Sequence, residues 1–165
     1  MSGDFADAYD EQVRNVYGFF AYRIVNRGDA EDLTQQTFER ALRAWPRFDP
    51  ERAPLGVWLM TIARNLLVDH YRGDGSARNE PLEEVGEERL GSEVPELCLG
   101  IDPDLAEALA TLAPRNREVI ALRFGADLTG PEIAELTELS LSNVQQILSR
   151  SLRHLRSALE GKASA

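Results

Sequence analysis

The sequence predicts an all-α chain of two small helical domains joined by an acidic linker. Three observations carry that prediction. Apolar residues recur at three- and four-residue spacing through both ends of the chain, the period of a helix with one buried face. No stretch alternates apolar and polar residues as a half-buried strand would. Between the two periodic parts, Gly73 to Pro103 holds Gly, Pro, Ser and seven Glu with weak periodicity, the composition of a linker. The expected division is 1–72, 73–103 and 104–165. Each outer piece is near the size at which a helical core holds alone, though only modestly.

The first helix is read from Tyr9, Val13, Val16, Tyr17, Phe20 and Ile24, and Gly28 is its expected stop. Asp29 is then read as the cap of a second helix, with Asp32 in a box-like arrangement. Leu33, Thr37, Phe38, Ala41, Leu42 and Trp45 form its stripe, and Pro46 stops it. Residues 47–54 (RFDPERAP) form a loop with two prolines. A third helix follows over 55–71. Val57, Trp58, Leu59, Ile62, Ala63, Leu66 and Leu67 are its apolar positions, and Arg64, Asn65, Asp69 and Arg72 stand on its other face. Within the linker a short helical turn over 83–90 is compatible with the pattern.

The C-terminal piece starts near Asp104 with Leu105, Ala108, Leu109 and Leu112. Pro114 suits a first helical turn, and Val119, Ile120, Leu122 and Phe124 continue from it. Thr129 and Glu132 make a capping box ahead of Ile133, Ala134 and Leu136. A break over 137–140 precedes a last helix carrying Leu141, Val144, Leu148, Leu152, Leu155 and Leu159.

Several function classes are excluded. The longest apolar stretches are broken by charge well short of the ~20 residues that a membrane span needs. The N-terminus is acidic and lacks an apolar signal core, so the expected location is cytoplasmic. A single cysteine, Cys98, cannot form an internal disulfide, and His70 and His154 lack helical metal-site spacing. No glycine-rich phosphate loop or Ser/His/Asp set stands out, so the chain is read as a non-enzyme without metal or cofactor.

Net charge is −10, which argues against a nucleic-acid binder until its location is considered. The three parts carry −2, −7 and −1 in order, so the excess lies in the linker. The bases of the flanking parts are almost all Arg, the residue suited to phosphate forks and base stacking.

Three stretches carry candidate function. Residues 129–150 form two short helices about a tight turn, the layout of a helix-turn-helix. Its second helix exposes Ser142, Asn143, Gln145, Gln146 and Ser149, with Arg150, Arg153 and Arg156 further along for phosphates. A plain helical hairpin with a solvated polar face has the same pattern. Residues 47–72 interleave Phe48, Trp58 and Tyr71 with arginines, as unstacked bases require, although aromatics at helical spacing also serve as core. Asp29, Glu31, Asp32, Gln35, Gln36 and Glu39 make an acidic, polar helix face. Favourable charge at a helix N-terminus explains that face equally well.

Taken together, DAEDLTQQTFERALRAWPRFDPERAPLGVWLMTIARNLLVDHYR (29–72) resembles the second conserved region of sigma factors. LATLAPRNREVIALRFGADLTGPEIAELTELSLSNVQQILSRSLRHLR (109–156) resembles their fourth region. Order, spacing and acidic linker are similar to the extracytoplasmic-function group of the sigma-70 family, which has only these two domains. The resemblance implies a transcription initiation factor with RNA polymerase core, promoter DNA and an anti-sigma factor as partners. It assigns Asp29, Glu31, Asp32, Gln35, Gln36, Phe38 and Glu39 to the β′ clamp helices. It assigns Arg47, Arg52, Trp58, Arg64, Asn65 and Arg72 to the −10 element. The second helix of the C-terminal motif, with Ser142, Asn143, Gln145, Gln146, Ser149, Arg150 and Arg153, would read the −35 duplex beside the β flap. The linker would thread toward the RNA exit path.

The departures from the family pattern are specific. Glu138 stands in the turn where members usually have Gly, at a position that often wants a positive φ. Val144-Gln145-Gln146-Ile147 replaces the usual V-K-S-R, so two phosphate-binding charges are missing and the salt dependence should flatten by ~2 units of slope. Ile147 is then a candidate for touching a thymine methyl or another protein. Two other readings stand beside the initiation factor: a sigma-like chain that occupies polymerase without reading promoters, and a stand-alone regulator that binds duplex DNA through 104–165.

Overall fold

The computed structural model describes residues 4–74 and 101–164, and every regular element among them is helical. The turn expected over 83–90 lies outside the described residues. Helix α1 spans Phe5–Arg23, α2 spans Arg27–Ala44 and α3 spans Leu55–Asp74. A 3-10 turn, Trp45–Arg47, follows α2, because Pro46 cannot continue the α ladder. In the second part, α4 spans Pro103–Ala110, α5 Pro114–Ile120, α6 Gly130–Thr137 and α7 Leu141–Ser164.

Two local expectations need correction. Gly28 does not stop α1. That helix ends at Arg23, with Ile24 already extended, and Gly28 lies in the first turn of α2. The cap of α2 is Asn26, whose side chain accepts from the Asp29 N–H at 3.0 Å. Asn and Asp are near-equal caps, so a cap three residues earlier gains most of an extra turn at no loss. The capping box of α6 forms as read: the Thr129 hydroxyl accepts from Glu132 N–H at 3.2 Å, and the Glu132 carboxylate accepts from Thr129 N–H at 3.0 Å.

Helices α1, α2 and α3 pack around Phe19, Phe20, Leu33, Leu59, Met60 and Leu67. Thr34 and Thr37 are buried in α2, where their hydroxyls donate to the Ala30 and Leu33 carbonyls at 2.7 Å and leave no polar atom stranded. In the second part, Leu109, Leu112, Ile120 and Leu155 form a smaller cluster under α7. The larger core does not stop at α3. It continues without a break through Val119, Leu122, Leu128, Ile133 and Val144, so the two helical parts share one apolar interior.

The junction is close. After α5 the chain widens into a π turn, Ala121–Gly125, where Ala126 N–H reaches the Ala121 carbonyl at 2.9 Å. This turn lays Gly125 flat against Gly18 of α1. A Cβ on Gly125 would lie 2.5 Å from the Gly18 carbonyl oxygen, and one on Gly18 would strike the Gly125 carbonyl. The same widening rotates Phe124 outward, so it is 46% exposed and leaves the expected stripe.

Candidate nucleic-acid interface

Helix α2 borders two different surfaces. On one face, Phe5 and Tyr9 of α1 meet Phe38 edge to face at 6.3 and 4.7 Å. Phe38 is buried and forms the floor of an open groove of about 590 Å³ with Glu31, Gln35 and Glu39 along its wall. Asp32, Gln35, Gln36 and Glu39 are exposed, and Asp29 and Glu31 are half-buried. An apolar trough with an acidic lip suits a helix that brings both apolar and basic side chains.

The far end of the same helix is basic. Arg40, Arg43, Arg47, Ile62 and Asn65 line a shallow basin of about 340 Å³ between α2 and α3. The structure thus brings Arg47 and Asn65 together and adds Arg40 and Arg43. Sequence reading missed those two. Their signal was there, since 40, 43 and 47 fall on one helical face. Arg40 lies 4.0 Å from Asp69, with both side chains about half exposed, so the pair contributes little and leaves the guanidinium available. Arg52 and Arg72 are exposed but line no part of this basin.

Trp58 is partly buried and packs against the core. It lies 4.7 Å from Phe48 and 6.0 Å from Trp45, which in turn stacks on Phe48 at 5.3 Å. These rings hold the prolyl loop against α3, which makes Trp58 a brace for the basin and not an open stacking platform. Tyr71 is exposed and donates to the Arg23 carbonyl at 3.1 Å.

Arg64 is the clearest departure from the expected set. It does not face the basin with Asn65. Its Nε donates to Glu118 Oε2 at 2.6 Å and its Nη1 to the Leu136 carbonyl at 3.0 Å, while the two side chains are 30% and 20% exposed. Neighbouring helix positions differ by about 100°, so packing α3 against the second part turns 64 inward when 65 faces out. Arg64, assigned to promoter contact by resemblance, here bridges the two halves. Glu118, Gly18 and Gly125 complete that junction.

The helix-turn-helix stands as expected. Glu138 closes α6 at φ 65°, ψ 26°, in the left-handed region. Ser140 accepts from Asn143 N–H at 3.0 Å and starts α7. Ser142, Asn143, Gln145, Gln146, Ser149, Arg150 and Arg153 are all exposed, with Val144 and Ser151 buried beneath them. Ile147 instead packs against the shared core, since it follows Val144 by three residues, which removes it as a free base contact. Glu138→Gly should raise stability. It relieves a left-handed Cβ and removes a negative charge from a helix C-terminus, against a higher unfolded-state entropy. A net gain of about 1 kcal/mol, or ~2–4 °C in Tm, is expected in a thermal melt.

No helix among the described residues is long and apolar enough to cross a membrane. Among them no three His, Cys, Asp or Glu side chains are grouped to hold a metal.

The surfaces fall within two matched family models. Residues 9–76 match Sigma-70 region 2 and residues 108–157 match Sigma-70, region 4, well over half of the chain between them. The chain is 33% identical over 165 residues to the ECF RNA polymerase sigma factor BldN of Streptomyces coelicolor, covering 96% of this chain but 61% of that protein. It is 27% identical over 168 residues to the ECF sigma factor SigK of Mycobacterium ulcerans, covering 94% and 86%. Among solved structures, the sigma factor RpoE, determined with the anti-sigma factor NepR from Bartonella quintana, superposes with a TM-score of 0.73 at 23% identity, covering 95% of this chain and 97% of that one. CnrH, determined with the cytosolic domain of CnrY, superposes at 0.65 and 24% identity, covering 95% and 88%. At those identities the structures speak for the fold. The chain belongs to the sigma-70 family and is an extracytoplasmic-function sigma factor in type.

Proposed function

We propose that this chain is a transcription initiation factor that binds RNA polymerase core and directs it to specific promoters. One observation carries the reading: a single helix, α2, contributes Glu31, Gln35 and Glu39 to an acidic apolar groove and Arg40 and Arg43 to a basic basin. A docking surface and a nucleic-acid surface on one rigid helix couple polymerase position to DNA position. The acidic face takes the β′ clamp helices. The basin, with Arg47 and Asn65, holds the backbone of the opened −10 strand. Exposed Asn143, Gln145 and Gln146 read −35 base edges, and Arg150 and Arg153 meet phosphates as the second part sits on the β flap. Residues 1–72, 73–103 and 104–165 act as opener, linker and reader. The protein performs no chemistry of its own and works in the cytoplasm. An anti-sigma factor is its proposed inhibitor, as RpoE and CnrH were determined with NepR and CnrY.

Run-off transcription with purified core on genomic templates tests this. Specific start sites that depend on the added protein are expected. Absence of any specific transcript would sink the reading. At a mapped promoter, Gln145→Ala with Gln146→Ala should lower initiation tenfold or more, since one good bidentate base contact is worth ~1–3 kcal/mol. A second reading rests on the uncharged reading face and the left-handed Glu138: a chain that occupies polymerase without reading the −35 element. An unaltered transcript from the double variant would favour it.

A further inference from the structure

A small cleft opens where the end of α1 and the start of α2 meet α4 and α5. Its volume is about 90 Å³, and Arg23, Arg27 and Arg117 line it together with Tyr22, Leu109 and Ala110. None of the residues that line it is acidic, in a chain whose net charge is −10. The Nε atoms of Arg23 and Arg117 are both buried, and neither has a hydrogen-bond partner. The Arg40–Asp69 and Arg64–Glu118 ion pairs lie elsewhere and involve neither Arg23 nor Arg117. What these two do touch is weak: Arg117 Nη2 lies 3.5 Å from the Ala110 carbonyl, and the Arg23 guanidinium sits 5.9 Å from the Tyr71 ring centre.

A buried guanidinium N–H without an acceptor is costly, and both arginines line this one cleft, where an anion would supply acceptor and charge together. Burial also pushes the Tyr22 hydroxyl above its ordinary range, so no phenolate supplies that charge. Arg27, the first residue of α2, adds a third positive charge to the lining. The space admits several water molecules, enough for one tetrahedral oxyanion. Guanidinium forks match such oxyanions in geometry as well as charge.

We infer that this cleft binds a phosphate-class oxyanion, clasped between Arg23 of the first helical part and Arg117 of the second. The anion is either free phosphate or the terminal phosphate of a nucleotide whose remainder stays in solvent. Since the two arginines come from different halves, the complete site exists only while the halves are packed together. The bound anion therefore stabilises the closed molecule, in which Arg64 is engaged with Glu118. This inference stands apart from the promoter reading, because its measurement needs neither polymerase nor DNA.

The test is a thermal melt of the full chain titrated with inorganic phosphate, and in a parallel arm with ADP, at ionic strength held constant with chloride. A saturable rise in Tm is expected, about 5–10 °C at ~100 times the dissociation constant. Arg23→Gln and Arg117→Gln, which keep a polar side chain and remove the charge, should each weaken binding at least tenfold. Arg117→Lys, which keeps the charge without the fork, should bind more tightly than Arg117→Gln and more weakly than the unmodified chain. Far-UV circular dichroism checks that each variant is helical. For a variant that fails to fold, line broadening of the phosphate 31P resonance by the unmodified chain decides instead. A response to ADP alone identifies the nucleotide source, and a response to phosphate alone the free ion. A rise that does not saturate and is equal in all variants, or no rise and no broadening, overturns the inference.

Discussion

Gly125→Ala is expected to part the two halves of the molecule while leaving each one helical. The added methyl would lie 2.5 Å from the Gly18 carbonyl oxygen, a backbone atom that no rotamer change can move aside. Overpacking of this kind costs roughly 1–3 kcal/mol, and the shared interior is lost with it. The substitution is otherwise benign, because Gly125 has no positive φ to forbid a side chain. Small-angle scattering should give a larger radius of gyration, and an apolar dye should bind where Leu122, Leu128 and Ile133 leave the common core. Melting should broaden as the halves lose their coupling. Unchanged size and an unchanged melt would mean that the contact does not hold the halves together. Gly18→Ala meets the same obstacle from the other side and should behave alike.

The second large effect concerns Arg64 and Glu118. Glu118→Gln and Arg64→Gln should each destabilise the closed chain by about 1.5–3 kcal/mol, the worth of a charge-assisted bond, read by urea denaturation. The double variant should cost little more than Arg64→Gln alone, because the ion pair is already gone in that single variant, which also loses the bond to the Leu136 carbonyl. In transcription the two should move in opposite directions. Glu118→Gln releases a guanidinium on the helix next to the basin and should raise strand opening at limiting factor. Arg64→Gln removes that guanidinium and should lower it. Permanganate reactivity of −10 thymines reports the difference. If both variants fall together, Arg64 serves only as a bridge and leaves the DNA-binding set.

The helices, the Pro46 stop and the capping box of Thr129 and Glu132 are written in neighbours a few residues apart. So is the strain at Glu138, since a turn that short demands a left-handed residue whatever surrounds it. The cap of α2 was misread because Asn26 and Asp29 are both competent, and local sequence cannot rank near-equals. The exposed reading face of α7 was legible as the complement of its apolar stripe, yet Ile147 was not, because whether a half-apolar position is covered depends on what docks there.

Arg64 is the sharpest case. Its helix was legible, and its direction was not. The partner, Glu118, lies 54 residues away, and no local pattern connects them. The sequence by itself determined a helical chain of the sigma-70 family, its acidic face, its arginine-rich loop and its uncharged reading helix. These follow from short-range spacing and side-chain chemistry. The tertiary structure alone decided that the halves share one core across Gly18 and Gly125, that Arg64 spans them, and that Arg23 and Arg117 meet in one cleft. Those outcomes depend on how rigid helices rotate and settle against each other, a balance of packing that no single segment encodes.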